Sequence, residues 1–86
     1  MSWPVLNTDT LEDEAKLVSY MKHLSASEIA DHEFWPGHYD DFSGALMLAG
    51  YRIDWIEPYY FEAHAPKGQG TIKYFEGDLY FIPYPA

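Results

Sequence analysis

Hydrophobic and polar positions along this chain change period once, near Gly50. Before that point apolar residues recur at helical spacing. Leu11, Ala15 and Val18 form one stripe and Leu17, Met21 and Leu24 a neighbouring one, together a face wide enough to bury against a sheet. Thr10 is the expected N-cap of this first helix, with Glu12, Asp13 and Glu14 at the positive end of its dipole, and the helix runs to about Leu24. Ser25-Ala26-Ser27-Glu28 has capping-box spacing and predicts a short second helix reaching about Phe34, where Pro36-Gly37 stops it. Asp40 or Asp41 then caps a third helix through Phe42, Ala45, Leu46 and Ala49, with Gly50 as its left-handed C-terminal residue.

Beyond Gly50 the period is two. Tyr51, Ile53 and Trp55 alternate with Arg52 and Asp54, and after Glu57-Pro58 the residues Tyr59, Phe61 and Ala63 alternate with Tyr60, Glu62 and His64. Pro66-Lys67-Gly68-Gln69-Gly70 reads as a mobile loop in which Gly68 is adaptable. Thr71 to Phe75 and Leu79 to Ile82 form a hairpin around Glu76-Gly77, with Gly77 at positive φ. A two-residue loop there pairs Tyr74 with Leu79 and Ile72 with Phe81, placing all four side chains on one face. Pro83 and Pro85 end the last strand and blunt its edge. Helices followed by strands predict one α+β domain over residues 1–86, helical from 10 to 50 and stranded from 51 to 83. Two or three N-terminal helices pack on one face of a three- to four-stranded antiparallel meander.

Composition narrows the class. With 86 residues, 48% apolar and 19% aromatic, the chain is far too apolar for a disordered acidic tail. A domain of this size buries only about 60 to 65% of its unfolded surface, so its aromatics must supply much of the core. The absence of cysteine excludes disulfides, thiolate zinc sites and a cysteine nucleophile. No apolar run approaches the roughly 18 residues that span a bilayer, and Met1-Ser2-Trp3-Pro4 lacks the basic and apolar regions of a signal peptide, so the cytoplasm is the expected compartment.

Charge changes the picture most. The net charge is −9, and nine of the fourteen acids lie in the first 41 positions against only Lys16 and Lys22. A field of this sign repels nucleic acid and anionic membrane and favours a partner with a basic surface. Glu12, Asp13, Glu28, Asp31, Glu33, Asp40 and Asp41 fall at helix starts and one loop, where capping and solvation alone account for acids. The scarcity of interspersed lysine favours the sharper reading, a continuous negative surface that binds the partner with Tyr39 as an aromatic anchor.

Signals for catalysis are weaker. Asp31, His32, Glu33, His38, Asp40 and Asp41 are metal-ligand types, but His32 and His38 stand six apart across a Pro-Gly break, where a helical zinc pair needs three or four. No metal or cofactor is expected. The serines lie in no Gly-x-Ser-x-Gly context, and Gly68-Gln69-Gly70 lacks the lysine and the strand-loop-helix order of a phosphate loop. Paired glycosidase carboxylates need a cleft for which this chain has little volume, so no catalytic residue is assigned. Tyr39, Tyr60, Tyr80 and Tyr84 fall at outward or loop positions suited to protein contact. Only Arg52, Lys67 and Lys73 accompany the strand aromatics, too few for a single-strand binding groove.

In its short length, lack of cysteine, acidic helices from Leu11 to Phe34 and aromatic meander from Tyr51 to Ile82, the chain resembles the small acidic inhibitors encoded by phages and mobile elements, anti-CRISPR proteins among them. That group shares no common motif, and no residue role is carried over from it. The resemblance implies a stoichiometric, non-enzymatic inhibitor that occupies the nucleic-acid groove of a defence complex or blocks its nuclease recruitment. Two alternatives stand beside it: an assembly protein self-associating through its aromatic sheet surface, and a metal-dependent hydrolase using His32, His38 and nearby carboxylates.

Overall fold

The change of period at Gly50 is a helix end closed by its own backbone. Tyr51 N–H donates to the Leu46 carbonyl at 2.9 Å and Gly50 N–H to Met47 at 3.0 Å, the paired bonds of a Schellman motif, with Gly50 at φ 103. The computed structural model describes residues 3, 11–66 and 68–85, with 11–13 as backbone. Thr10, and the side chains of Leu11, Glu12 and Asp13, lie outside the described residues. Among the described residues, α1 (Leu11–Lys22), α2 (Ala26–Ala30) and α3 (Tyr39–Leu48) precede β1 (Arg52–Glu57), β2 (Tyr60–His64), β3 (Gly70–Phe75) and β4 (Asp78–Pro83). The strands form one antiparallel sheet in the order β1-β2-β3-β4, so the α+β meander is as predicted.

The last hairpin has the expected register. Tyr74 faces Leu79 and Ile72 faces Phe81, and Glu76 (φ 50) and Gly77 (φ 96) both take the positive φ of a type I′ turn. Ser25 opens α2 with both halves of the capping box: its oxygen accepts from Glu28 N–H, and Ser25 N–H donates to Glu28 Oε1 at 2.9 Å. Those bonds lower the Glu28 carboxyl pKa, since they stabilise its charged form.

Other expectations need correction. The second helix stops at Ala30 rather than near Phe34, because Glu33 turns left-handed (φ 65) and Phe34 leaves to bridge with Asp78. His38, not Asp40 or Asp41, caps α3: its Nδ1 accepts from Asp40 N–H at 3.2 Å, and the two aspartates occupy the first turn. On α1 the buried stripe is Leu17, Val18 and Met21, with Ala15 exposed. Trp55 is 46% exposed because β1 is an edge strand, and Tyr59 is 54% exposed because it occupies the β1–β2 turn rather than a strand. Ile56 is an extra residue there, a bulge between the Trp55–Phe61 and Glu57–Tyr60 pairs. Gln69 is tied to the start of α2, since its Oε1 accepts from Ala26 N–H at 2.8 Å, and Gly70 already belongs to β3.

The core lies between the helices and the inner sheet face. Phe42 at its centre stacks on Trp35 at 4.7 Å and meets Phe61 and Tyr74, each at 5.9 Å, while Phe61 and Tyr74 stack on one another at 4.8 Å. Such ring pairs add about 0.5 to 1.5 kcal/mol each beyond their buried area, which is how so short a chain compensates for its small core. Ile29, Leu46, Ile72 and Met21 complete the fully buried set.

Candidate functional site

An antiparallel meander puts the β1–β2 and β3–β4 turns at one end of the sheet, and the helix connections come to that same end. Trp35 N–H donates to the Gly77 carbonyl at 2.8 Å, Leu79 N–H to Glu33 at 3.0 Å, and Glu76 N–H to Tyr59 at 2.9 Å. These bonds lash segment 31–38 and both turns together, and with them three non-glycine residues in the left-handed region: Glu33, Tyr59 (φ 67) and Glu76. Trp3 reaches the same segment, its indole N–H donating to the Phe34 carbonyl at 2.7 Å while its ring stacks on His32 at 3.9 Å.

Aromatic rings crowd this turn end and stay partly in solvent. Phe34 and Tyr59 are each 54% exposed, Trp55 46% and Phe75 39%. Tyr39, the first residue of α3, stands edge-on to Tyr59 at 4.7 Å and to Trp55 at 5.7 Å. Tyr39, Asp40, Trp55, Ile56, Glu57 and Pro58 line an open groove of about 450 Å³. The Asp40 carboxylate beside Tyr39 raises the phenol's pKa, because ionising the phenol would set a second negative charge next to the first.

The predicted acids divide between the two ends. Because α3 runs back against β1, Asp40 and Asp41 land at the turn end, and Asp31 and Glu33 reach it as α2 gives way to segment 31–38. Glu14 of α1 joins Asp40 and Asp41 around a cleft of about 100 Å³. Glu28 sits apart in its capping box, on the helix whose start is pinned to Gln69 at the loop end. Glu12 and Asp13 fall outside the described side chains.

Sequence reasoning missed Glu57, Glu76 and Asp78, which the turns deliver beside Asp31, Glu33, Asp40 and Asp41. Residues 31–41, 55–61 and 74–80 together hold these seven acids and neither lysine nor arginine. Lys22 and Arg52 lie toward the opposite end, at the close of α1 and the start of β1, while Lys73 of β3 holds its ammonium 5.1 Å from the centre of the Tyr60 ring on the outer sheet face. The only signal available in the sequence was that the first and third turns of a meander are neighbours.

Other polar clusters point elsewhere. His32 is buried, with Nε2 3.2 Å from the Tyr20 hydroxyl, whereas His38 is exposed at the α3 cap. Among the described residues no group of three or more His, Asp or Glu converges as a metal set. On the outer sheet face His64 links Asp54 (Nε2 to Oδ2, 2.8 Å) to Thr71 (Nδ1 to Oγ1, 3.0 Å) across three strands. Thr71 is only 6% exposed, so this row of bonds staples β1, β2 and β3 rather than presenting a nucleophile. No helix among the described residues is long and apolar enough to cross a membrane.

The chain matches no protein-family model, and neither a curated protein nor a solved structure shows significant similarity to it.

Proposed function

We propose that this chain is a non-enzymatic binding protein that inhibits a nucleic-acid-binding partner by docking its turn end on the partner's basic surface, in the manner of a phage-encoded anti-defence protein acting in the cytoplasm. The observation that carries the reading is the gathering at the turn end of seven acidic residues and the exposed rings of Phe34, Trp55, Tyr59 and Phe75, in segments 31–41, 55–61 and 74–80 that contain neither lysine nor arginine. Charge of one sign speeds encounter with a basic surface, and exposed rings slow release. The binding set moves accordingly, from a helical face that included Glu28 to the turn end with Glu57, Glu76 and Asp78 added. Nucleic acid itself is repelled by the same field.

The test uses the intact chain as bait in a host lysate beside a variant carrying Glu33→Lys, Asp40→Lys and Glu57→Lys. A basic nucleic-acid-binding protein should be retained at low salt, released at high salt and absent from the variant's eluate, with the variant's melting temperature nearly unchanged because exposed charges contribute little to stability. Capture that is indifferent to salt and to the reversal contradicts the proposal.

A second reading is self-association through the outer sheet face. Tyr80 and Ile82 on edge strand β4 are 50% and 46% exposed, next to a face carrying Tyr60 and Phe75 in edge-on contact at 5.3 Å. Sedimentation of the chain and of Tyr80→Asp separates it from the first: a dimer lost in the variant favours assembly.

A further inference from the structure

The groove beside Tyr39 has the make-up of a socket for one side chain, and we infer that it receives an arginine of the partner, a deepening that rests on the binding function proposed above. Two rings line it, Tyr39 and Trp55, set at 78° to one another with centroids 5.7 Å apart. Its rim holds two carboxylates, Asp40 and Glu57, and Pro58 closes one side. The groove is open to solvent and, at about 450 Å³, has ample room for one guanidinium group.

Aromatic faces with carboxylates at their edge select a planar cation. A guanidinium stacks on an indole while its N–H fork donates to carboxylate oxygens in the ring plane. An ammonium is more strongly hydrated and lacks that fork. A cation near a helix N-terminus ordinarily meets the positive end of the dipole. Here His38 already accepts from the Asp40 amide, and Asp40 and Asp41 occupy the first turn, so the local sign is negative, in keeping with the raised Tyr39 phenol. The backbone holds the socket open: the bulge at Ile56 and the left-handed Tyr59 set the wall formed by β1 and its turn, and Glu76 N–H fixes the Tyr59 carbonyl.

The proposal is tested by titrating the ¹⁵N-labelled full chain with a blocked glycine-rich peptide carrying two arginines, and with its lysine and citrulline counterparts, at low salt. The arginine peptide should move the Trp55 indole resonance and the amides of Tyr39, Asp40 and Glu57. Lysine should bind several-fold more weakly, and citrulline at least about tenfold more weakly, because it keeps the shape and loses the charge. Trp55→Leu and Glu57→Gln should each weaken the arginine peptide about fivefold or more while leaving the remaining spectrum folded. Equal binding of arginine and lysine peptides with shifts centred on Glu33, Glu76 and Asp78 would overturn the socket and leave the acidic-end reading intact. No shift with any cationic peptide would overturn both.

Discussion

The two ends of the sheet solve the same backbone problem differently. Where β2 passes to β3 and α3 passes to β1, the left-handed positions among the described residues are glycines: Gly50, Gly68 (φ 67) and Gly70 (φ 151). At the turn end Glu33, Tyr59 and Glu76 carry side chains through that region, and Gly77 alone is glycine among the four. A side chain in the left-handed region costs about 1 kcal/mol, a cost glycine avoids. The loop end is therefore built for an easy turn. The turn end keeps two outward acids and an exposed ring at positions where glycine is more stable, as the contact role proposed for this end would require.

The largest effect expected from this comparison lies at the loop end. A methyl group on Gly70 stands 2.6 Å from the Ile82 carbonyl and 2.7 Å from the Phe81 ring, so Gly70→Ala should cost about 3 kcal/mol. Gly77→Val, at φ 96 and 3.1 Å from Phe34, should cost about 2 kcal/mol, and Gly68→Val, with only Tyr84 at 4.0 Å, about 1 kcal/mol. Thermal midpoints rank the three. Gly68 thus shares the positive φ that the sequence assigned to Gly77 alone, and crowding is what separates the two.

A smaller effect of opposite sign is expected at the turn end. Glu76→Asn makes the Asn-Gly pair that type I′ turns favour, and Glu33→Gly relieves the other acidic left-handed residue. Each should stabilise by about 0.5 to 1 kcal/mol, a rise of a few degrees in melting temperature, while weakening partner capture. A fall in stability for both would break the comparison.

The smallest effect is alkaline. Burial raises the phenol pKa of Tyr51 at the loop end and of Tyr74 near the turn end, where the Gly77 amide partly opposes the rise. A phenol that holds its proton more tightly folded than unfolded contributes stability that is complete below its unfolded pKa near 10 and disappears as pH rises through the folded value. The melting temperature should be flat to about pH 9 and fall above about pH 10, with Tyr51→Phe flattening the fall more than Tyr74→Phe.

Much of the fold was legible because it is local. Ser25 and Glu28 are three residues apart, Glu76-Gly77 lies between two alternating runs, and Gly50 ends a helical pattern, so each signal acts within one turn of chain. What escaped depends on tertiary partners. Glu33 is left-handed because its carbonyl serves Leu79, and Phe34 is pulled out of a helix by the strand beside it. His38 caps α3 because the aspartates fall one and two residues inside the helix. Of the candidate site, Asp31, Glu33, Tyr39, Asp40 and Asp41 follow from charge and position in the sequence. Glu57, Glu76 and Asp78 do not, since their nearness to those acids arises only once the meander folds and α3 turns back along β1.

The central claim, that the acidic, aromatic turn end occupies a nucleic-acid-binding surface, is tested most directly by competition. A fluorescent duplex bound to the captured partner is titrated with this chain, and anisotropy is followed at fixed salt. Stoichiometric release of the duplex is expected, lost when Glu33, Asp40 and Glu57 are reversed to lysine and retained when Glu28 is reversed alone. A stable ternary complex with the duplex still bound, or release that survives the triple reversal, would contradict it.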